Sequence, residues 1–325
     1  MLDTLDCKLY TGYEQIIRIC NGVNSMIESR NIYRHTKKLH PPKENPCKYK
    51  KERITASLCD KGIQEFAVGY DRYPLNDEET KFSYHNYVRM TIKPAVFLYP
   101  HDPYALSQAD DVERVERELD RFINELNHYI GDSLLPPIIK WKITRVDYAY
   151  QFQSPNYWYY LLLFKKERPE KNSAVYFGNT KTFPSEIRYW NKNICFHVYD
   201  KTTHLLENYG VPIDEAHYDN HELRFEVQCM YPCLSSIVYE NEMKSSSIRT
   251  LWNQDIAQMK VRNAINKVIG TCDFYDHYTA KRILSQHYSD GKVQDMLVFL
   301  APGVYSKTKG KNLPKLYAKH FGNKE

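Results

Sequence analysis

No apolar run in this 325-residue chain reaches the length that spans a bilayer, and the opening MLDTLDCKLY has no basic stretch leading into an apolar core. A soluble, cytoplasmic protein is therefore expected. Phosphate-binding GxxxxGK[ST] and dinucleotide-binding GxGxxG sequences are both missing, which removes the usual marks of an ATPase or a nicotinamide enzyme. Eight cysteines form no CxxC pair; Cys229 and Cys233 stand four apart with no second pair at zinc-finger spacing, so reduced thiols are expected. Nor is there an HxH triplet among the twelve histidines.

What is present is enough apolar sequence for a core, 42%, and a mild positive balance of +5. That balance permits a nucleic-acid partner without requiring one. Tyrosine is abundant, at 28 residues, and offers flat rings able to stack on bases. From Arg34 to Arg53, eight basic residues face two acidic ones around Pro41, Pro42 and Pro46: a solvated loop or a phosphate-contacting arm.

Periodicity predicts strands over 2–10, 53–71, 84–94, 141–152, 194–201 and 222–228, with another near Val175. Helices are predicted around 14–28, over 111–130 and near 157–164. The second is the clearest, with Val112, Val115, Leu119, Phe122, Leu126 and Tyr129 on one stripe before Gly131. Beyond Leu234 the pattern turns helical, through 248–269 and 278–300, into a tail with six lysines. The expected fold is α+β: a central, mainly antiparallel sheet with helices on one face and the other face open, followed by a C-terminal helical domain. The expected boundary lies at residue 235, giving domains 1–235 and 236–325.

Three strands share one division of faces. In ITRVDYAYQF, Val146, Tyr148, Tyr150 and Phe152 oppose Arg145 and Asp147. In NICFHVYDK, Ile194, Phe196 and Val198 oppose Cys195, His197, Tyr199 and Lys201. In HELRFEVQC, Leu223, Phe225 and Val227 oppose Arg224, Glu226 and Gln228. The segment NYVRMTIKP adds Arg89, Thr91 and Lys93 in the same manner. A sheet of these strands gathers acids, arginines and a tyrosine on one face. Cross-strand salt bridges, Arg145 with Glu226 for example, are one reading. The other is a site: two carboxylates make a hard oxygen ligand set for Mg²⁺ or Mn²⁺, and a cation with Lys201 would favour the Tyr199 phenolate.

At these strands the sequence resembles the filamentous-phage gene II type replication proteins and the related plasmid rolling-circle initiators, within the wider superfamily of tyrosine nickases. The segments VRMTIKPAVFL, ITRVDYAYQF, YFGNTKT, VYDK and LRFEVQ follow the family's order over most of residues 1–235. The resemblance implies metal ligation by Asp147 and Glu226, nicking by Tyr199 and a companion role for Lys201. Most of that superfamily place two histidines, one residue apart, on a strand as metal ligands; here Glu226 with Gln228, on one strand face at the same spacing, could replace that pair. Arg145, Arg224, Arg89, Lys93 and His197 are expected to contact DNA. It also implies single-stranded origin DNA as substrate, cut through a 5′-phosphotyrosine and rejoined, with host helicase and polymerase as partners; a homodimer remains open. A relaxase- or transposase-like nickase, a water-activating nuclease and a non-catalytic origin-binding protein stand as alternatives.

Overall fold

The computed structural model describes residues 1–32, 51–74, 82–166, 174–177, 185–191, 193–243 and 245–269, with Arg282, Ser285, Gln286 and Ser289. Most of the basic segment 34–53, the glycine of YFGNTKT, all but those four residues of the helix expected over 278–300, and the lysine-rich tail lie outside the described residues. In chain order the elements are β1 (Leu2–Tyr10), α1 (Tyr13–Arg30), β2 (Lys51–Asp60), β3 (Ile63–Pro74), β4 (Phe82–Ile92), α2 (Pro94–Leu98), α3 (Val112–Ile130), β5 (Lys142–Ser154), α4 (Tyr157–Lys166), β6 (Ala174–Phe177), β7 (Glu186–Trp190), β8 (Ile194–Asp200), α5 (Lys201–Tyr209), β9 (His221–Met230), α6 (Tyr231–Glu240), α7 (Ile248–Leu251) and α8 (Gln254–Ile269). The α+β class is as expected. No described helix is long and apolar enough to cross a membrane.

The chain divides into two compact units. The first comprises Met1–Tyr150, Trp190–Phe196 and Phe225–Val261. The second comprises Gln151–Tyr189, His197–Arg224 and the described residues from Arg262 onward. Helices α6 and α7 and the first half of α8 thus belong to the first unit, together with its strands.

In the first unit the strands run β2-β3-β4-β1-β5-β9, and the pairs β2–β3, β3–β4, β1–β4 and β1–β5 are antiparallel. One face is apolar: Leu58, Phe66, Val68, Val88, Met90 and Ile92 are buried. Over it pack α1 and α3. The predicted stripe on α3 supplies Val115, Leu119, Phe122 and Leu126, each buried, with Ile123 beside them; each such side chain contributes about 1.5–3 kcal/mol. Gly131 ends α3 in the left-handed region, at φ 74°. At the β2–β3 turn Gly62 has φ 65°, and a Cβ there would lie 2.5–2.7 Å from the Phe97 ring of α2, so both backbone and space demand glycine.

The opposite, polar face is more enclosed than an open sheet face. Thr4, Lys8, Glu65, Tyr87 and Asp147 are all buried there. One strand departs from its period-two expectation. Tyr150, assigned to the apolar face of β5, is 56% exposed. The register explains it: β1 pairs with β5 only as far as Leu2 opposite Tyr148, so β5 outruns its neighbour. The long helix expected over 248–269 is also broken. Asn253 stops it, its side chain accepting from the backbone N–H groups of Asp255 (2.9 Å) and Ile256 (3.1 Å) and so capping α8.

In the second unit the described strands run β9-β8-β7-β6. The strand predicted to reach Lys201 ends at Asp200. Asp200 accepts hydrogen bonds from Thr202 N (3.0 Å) and Thr203 N (3.2 Å), which starts α5 and makes Lys201 its first residue. Lys201 therefore does not continue the strand face of Tyr199. Tyr189 is a core aromatic, and its hydroxyl donates to the Phe164 carbonyl.

Candidate functional site

The first unit brings together one arginine and several carboxylates. Arg145 and Asp147, two apart on β5, share a face, and the guanidinium grips the carboxylate with both ends. Nε donates to Oδ1 at 2.8 Å and Nη2 donates to Oδ2. From β1, paired directly opposite Arg145, Asp6 sets Oδ2 at 3.8 Å from Nη1. The Gln228 amide of β9, with its oxygen turned toward the arginine, accepts from Nε at 2.8 Å. Glu226, half-buried on the same strand, adds a charge that further stabilises the guanidinium, whose pKa is raised chiefly by Asp147 against the cost of burial.

The cost of enclosing this pair falls on the acid, because a guanidinium is not discharged at any ordinary pH. Asp147 is 1% exposed. Burial pushes its carboxyl up to about 6; the Arg145 charge pulls the other way, and Asp3 and Asp6 add to the rise. Four carboxylates, Asp3, Asp6, Asp147 and Glu226, thus act on Asp147 or on Arg145.

The donor set fits a hard divalent cation in kind. All its ligating atoms are oxygens, from Asp6, Asp147, Glu226 and the Gln228 amide. Asp6 Oδ1 is buried without a hydrogen-bond partner, and burial is the main reason the Asp147 carboxyl is raised. Arg145 holds the middle of the cluster, and among the described residues no three His, Cys, Asp or Glu side chains stand ready around one point. Asp147, Glu226 and Gln228, expected as ligands from the sequence, all act on Arg145, and so does Asp6, which sequence reasoning missed.

The second unit holds Tyr199 near the end of β8, 5% exposed. Its ring stacks on His197, centroids 4.2 Å apart and planes at 23°, and the His204 ring of α5 lies 5.2 Å from it. His197 is fixed in turn: its Nε2 lies 2.9 Å from Glu186 Oε2 on β7. Arg188 Nη2 reaches the same oxygen at 3.0 Å. The Glu186 carboxyl is consequently held down at about 2, first by the His197 hydrogen bond. Sequence reasoning missed Glu186 because β7 itself was not predicted. His197, expected against DNA, is instead the link between Glu186 and Tyr199. Lys201 is buried in the first turn of α5.

Of the other expected DNA contacts, Arg224 is turned into the fold. It is 1% exposed and its Nε donates to Gln151 Oε1 at 2.8 Å; a guanidinium so enclosed serves packing. Arg89 pairs with Glu65 at 2.5 Å, its side chain 21% exposed. Lys93 is half-buried and stands at the N-terminal cap of α2.

Beside Tyr199, Asp200 does more than cap α5. Its Oδ2 lies 2.8 Å from His221 Nδ1, and the His221 ring stacks flat on Tyr157 at 4.1 Å. These contacts fix the chain that immediately follows Tyr199. No family model matches this chain, and no curated protein matches it.

Proposed function

We propose that the chain is a rolling-circle replication initiator: a nickase that cuts single-stranded origin DNA through Tyr199 and later rejoins it. In the nicking step the Tyr199 oxygen attacks the scissile phosphorus. The Tyr–O–P bond forms, the bond to the 3′ oxygen breaks, and that oxygen leaves as a hydroxyl with the proton balance met by the phenol. The 5′ phosphate stays on the protein, and reversal by a free 3′ hydroxyl restores a continuous strand.

Asp147 and Glu226, with Gln228, would hold Mg²⁺ or Mn²⁺, which when bound supplies charge neutralisation at the phosphodiester. The chain's own residues have separate duties. Glu186 orients His197, and the His197 ring sets the Tyr199 ring. Arg89 of β4 and Lys93, just after it, supply positive charge in the first unit, and Arg145 orients the Asp147 carboxylate. Lys201 is the companion lysine at the start of α5. Host helicase and polymerase would supply unwinding and synthesis.

The observation that supports this reading is the gathering of carboxylates about the buried Arg145–Asp147 pair, where burial first, and Asp3 and Asp6 after it, raise the Asp147 carboxyl to about 6. Exposed salt bridges ordinarily hold a carboxyl down; a carboxyl raised by burial beside a specific charge partner is a mark of functional sites. A second reading, DNA binding without chemistry, draws on one observation: at 5% exposure the Tyr199 ring needs its neighbours to yield before a phosphate can reach it.

One experiment separates them. Full-length protein is incubated with Mn²⁺ and labelled single-stranded DNA from its own replicon, then run on a denaturing protein gel. The proposal expects a label that migrates with the protein and is absent from Tyr199→Phe. Cleaved DNA with no protein-linked label would mean water is the nucleophile, and binding without cleavage would leave the second reading.

A further inference from the structure

Lysines and tyrosines alternate along one end of the first unit's polar face, away from the residues given catalytic duties above. Lys8 of β1 and Lys142 of β5 are direct cross-strand partners, so their side chains leave the same face. Lys8 Nζ lies 3.6 Å from the centroid of Tyr87 and 5.2 Å from that of Tyr10. Lys142 Nζ lies 4.3 Å from the centroid of Tyr231, where β9 passes into α6.

The layering runs from inside to out. Tyr87 is fully buried, Lys8 is 7% exposed above it, and Tyr10 is 52% exposed at the surface. Exposed His85 meets the Tyr10 ring edge-on at 6.4 Å. Tyr231 is likewise 52% exposed. Strand order places β5 between β1 and β9, and Tyr231 follows directly on the end of β9. Asp6, the nearest acid along β1, is directed at Arg145.

Half-exposed rings held over ammonium groups contribute little to folding, but they present flat π faces beside fixed positive charges. Duplex DNA keeps its base faces stacked away; a single strand offers bases and phosphates together. We propose that Tyr10, Lys142 and Tyr231, with Lys8 buried between Tyr87 and Tyr10, form a stacking platform that holds single-stranded DNA, the two tyrosines taking bases and Lys142 taking a phosphate. The proposal rests on the nickase reading for its substrate. It adds a binding surface distinct from the residues of the reaction, and it is indifferent to base sequence because every base has a π face.

The test measures binding alone. Full-length Tyr199→Phe protein in EDTA is titrated into fluorescein-labelled oligothymidylate, followed by anisotropy at several salt concentrations. Tyr10→Ala and Tyr231→Ala should each weaken binding about tenfold, whereas Tyr10→Phe, which keeps the ring, should stay within about twofold. Lys142→Gln should reduce the slope of log affinity against log salt by about 0.7, the share of one phosphate on a single strand. Equal melting temperatures would show that these exposed positions leave the fold intact. Unchanged affinity in both alanine variants overturns the platform while leaving the nickase reading standing. A parent protein that fails to bind single strands overturns both.

Discussion

Replacing Asp147 by asparagine should make the protein more stable at neutral pH, although it removes half of a buried ion pair. The carboxyl titrates at about 6 in the folded chain against an ordinary 3.8. Between those values the native state keeps a proton that the unfolded chain has released. The native state binds more protons, so stability falls as pH rises through this window. A difference of about two units at about 1.36 kcal/mol each puts the loss at ~3 kcal/mol, complete above about pH 6. An asparagine amide resembles the protonated acid and cannot titrate. Wild type and Asp147→Asn should therefore be nearly equal at pH 4, and the variant should be ahead by ~3 kcal/mol at pH 7.

Urea unfolding followed by tryptophan fluorescence measures this directly, since Trp141 and Trp252 are both buried in the same unit as Asp147. The companion variant runs the other way. Arg145→Gln takes the cation from among Asp3, Asp6, Asp147 and Glu226 and should cost about 3–5 kcal/mol at pH 7, as breaking a buried pair from one side does. Its deficit should shrink at pH 4 as the acids take up protons. The reasoning is refuted if Asp147→Asn is less stable than wild type by the same amount at pH 4 and pH 7. That result would mean Arg145 holds the carboxylate ionised at its ordinary pKa or below.

Two further outcomes follow from the same geometry. Mn²⁺ at pH 7.5 should raise the stability of the wild type, by roughly 2 kcal/mol at a concentration some fifty times the Kd, and this gain should vanish in Asp147→Asn; an equal gain in both proteins would place the cation elsewhere. Gly62→Ala should cost more than about 2 kcal/mol, because the left-handed backbone alone costs about 1–2 kcal/mol in an L-residue and its Cβ would also meet Phe97; calorimetry showing a loss under about 0.5 kcal/mol would refute the strained-turn account.

Much of the scaffold was legible because periodicity is local. The three- and four-residue spacing in α3 and the alternation in β1, β4 and β9 each report which side of an element meets the core. The end of β8 was not legible in that way. Tyr199 and Lys201 lie two apart in a run that alternates, yet the Asp200 carboxylate, by accepting from Thr202 and Thr203, turns the chain into α5 between them. The signal that could have found it was the Asp-Lys-Thr-Thr sequence itself, an acid before a run with no apolar member.

The electrostatics of the acidic cluster lay further beyond the sequence, because they depend on pairing between strands. Arg145 and Asp147 were visible as neighbours on one face. That Asp6 would join them depends on the β1–β5 register, which sets Asp6 opposite Arg145 and then shifts between Asp6 and Cys7. A register one residue earlier would send Asp6 to the apolar face. Arg145 would then answer fewer acids, the Asp147 carboxyl would lose one of the charges that raise it, and the pair would be closer to an ordinary salt bridge. The irregularity at Cys7 separates the two halves of the polar face: acids around Arg145 on one side, and Lys8 paired with Lys142 on the other. The functional division proposed for this sheet, a cation-seeking cluster beside a phosphate-seeking strip, thus follows from one break in register that no residue spacing records.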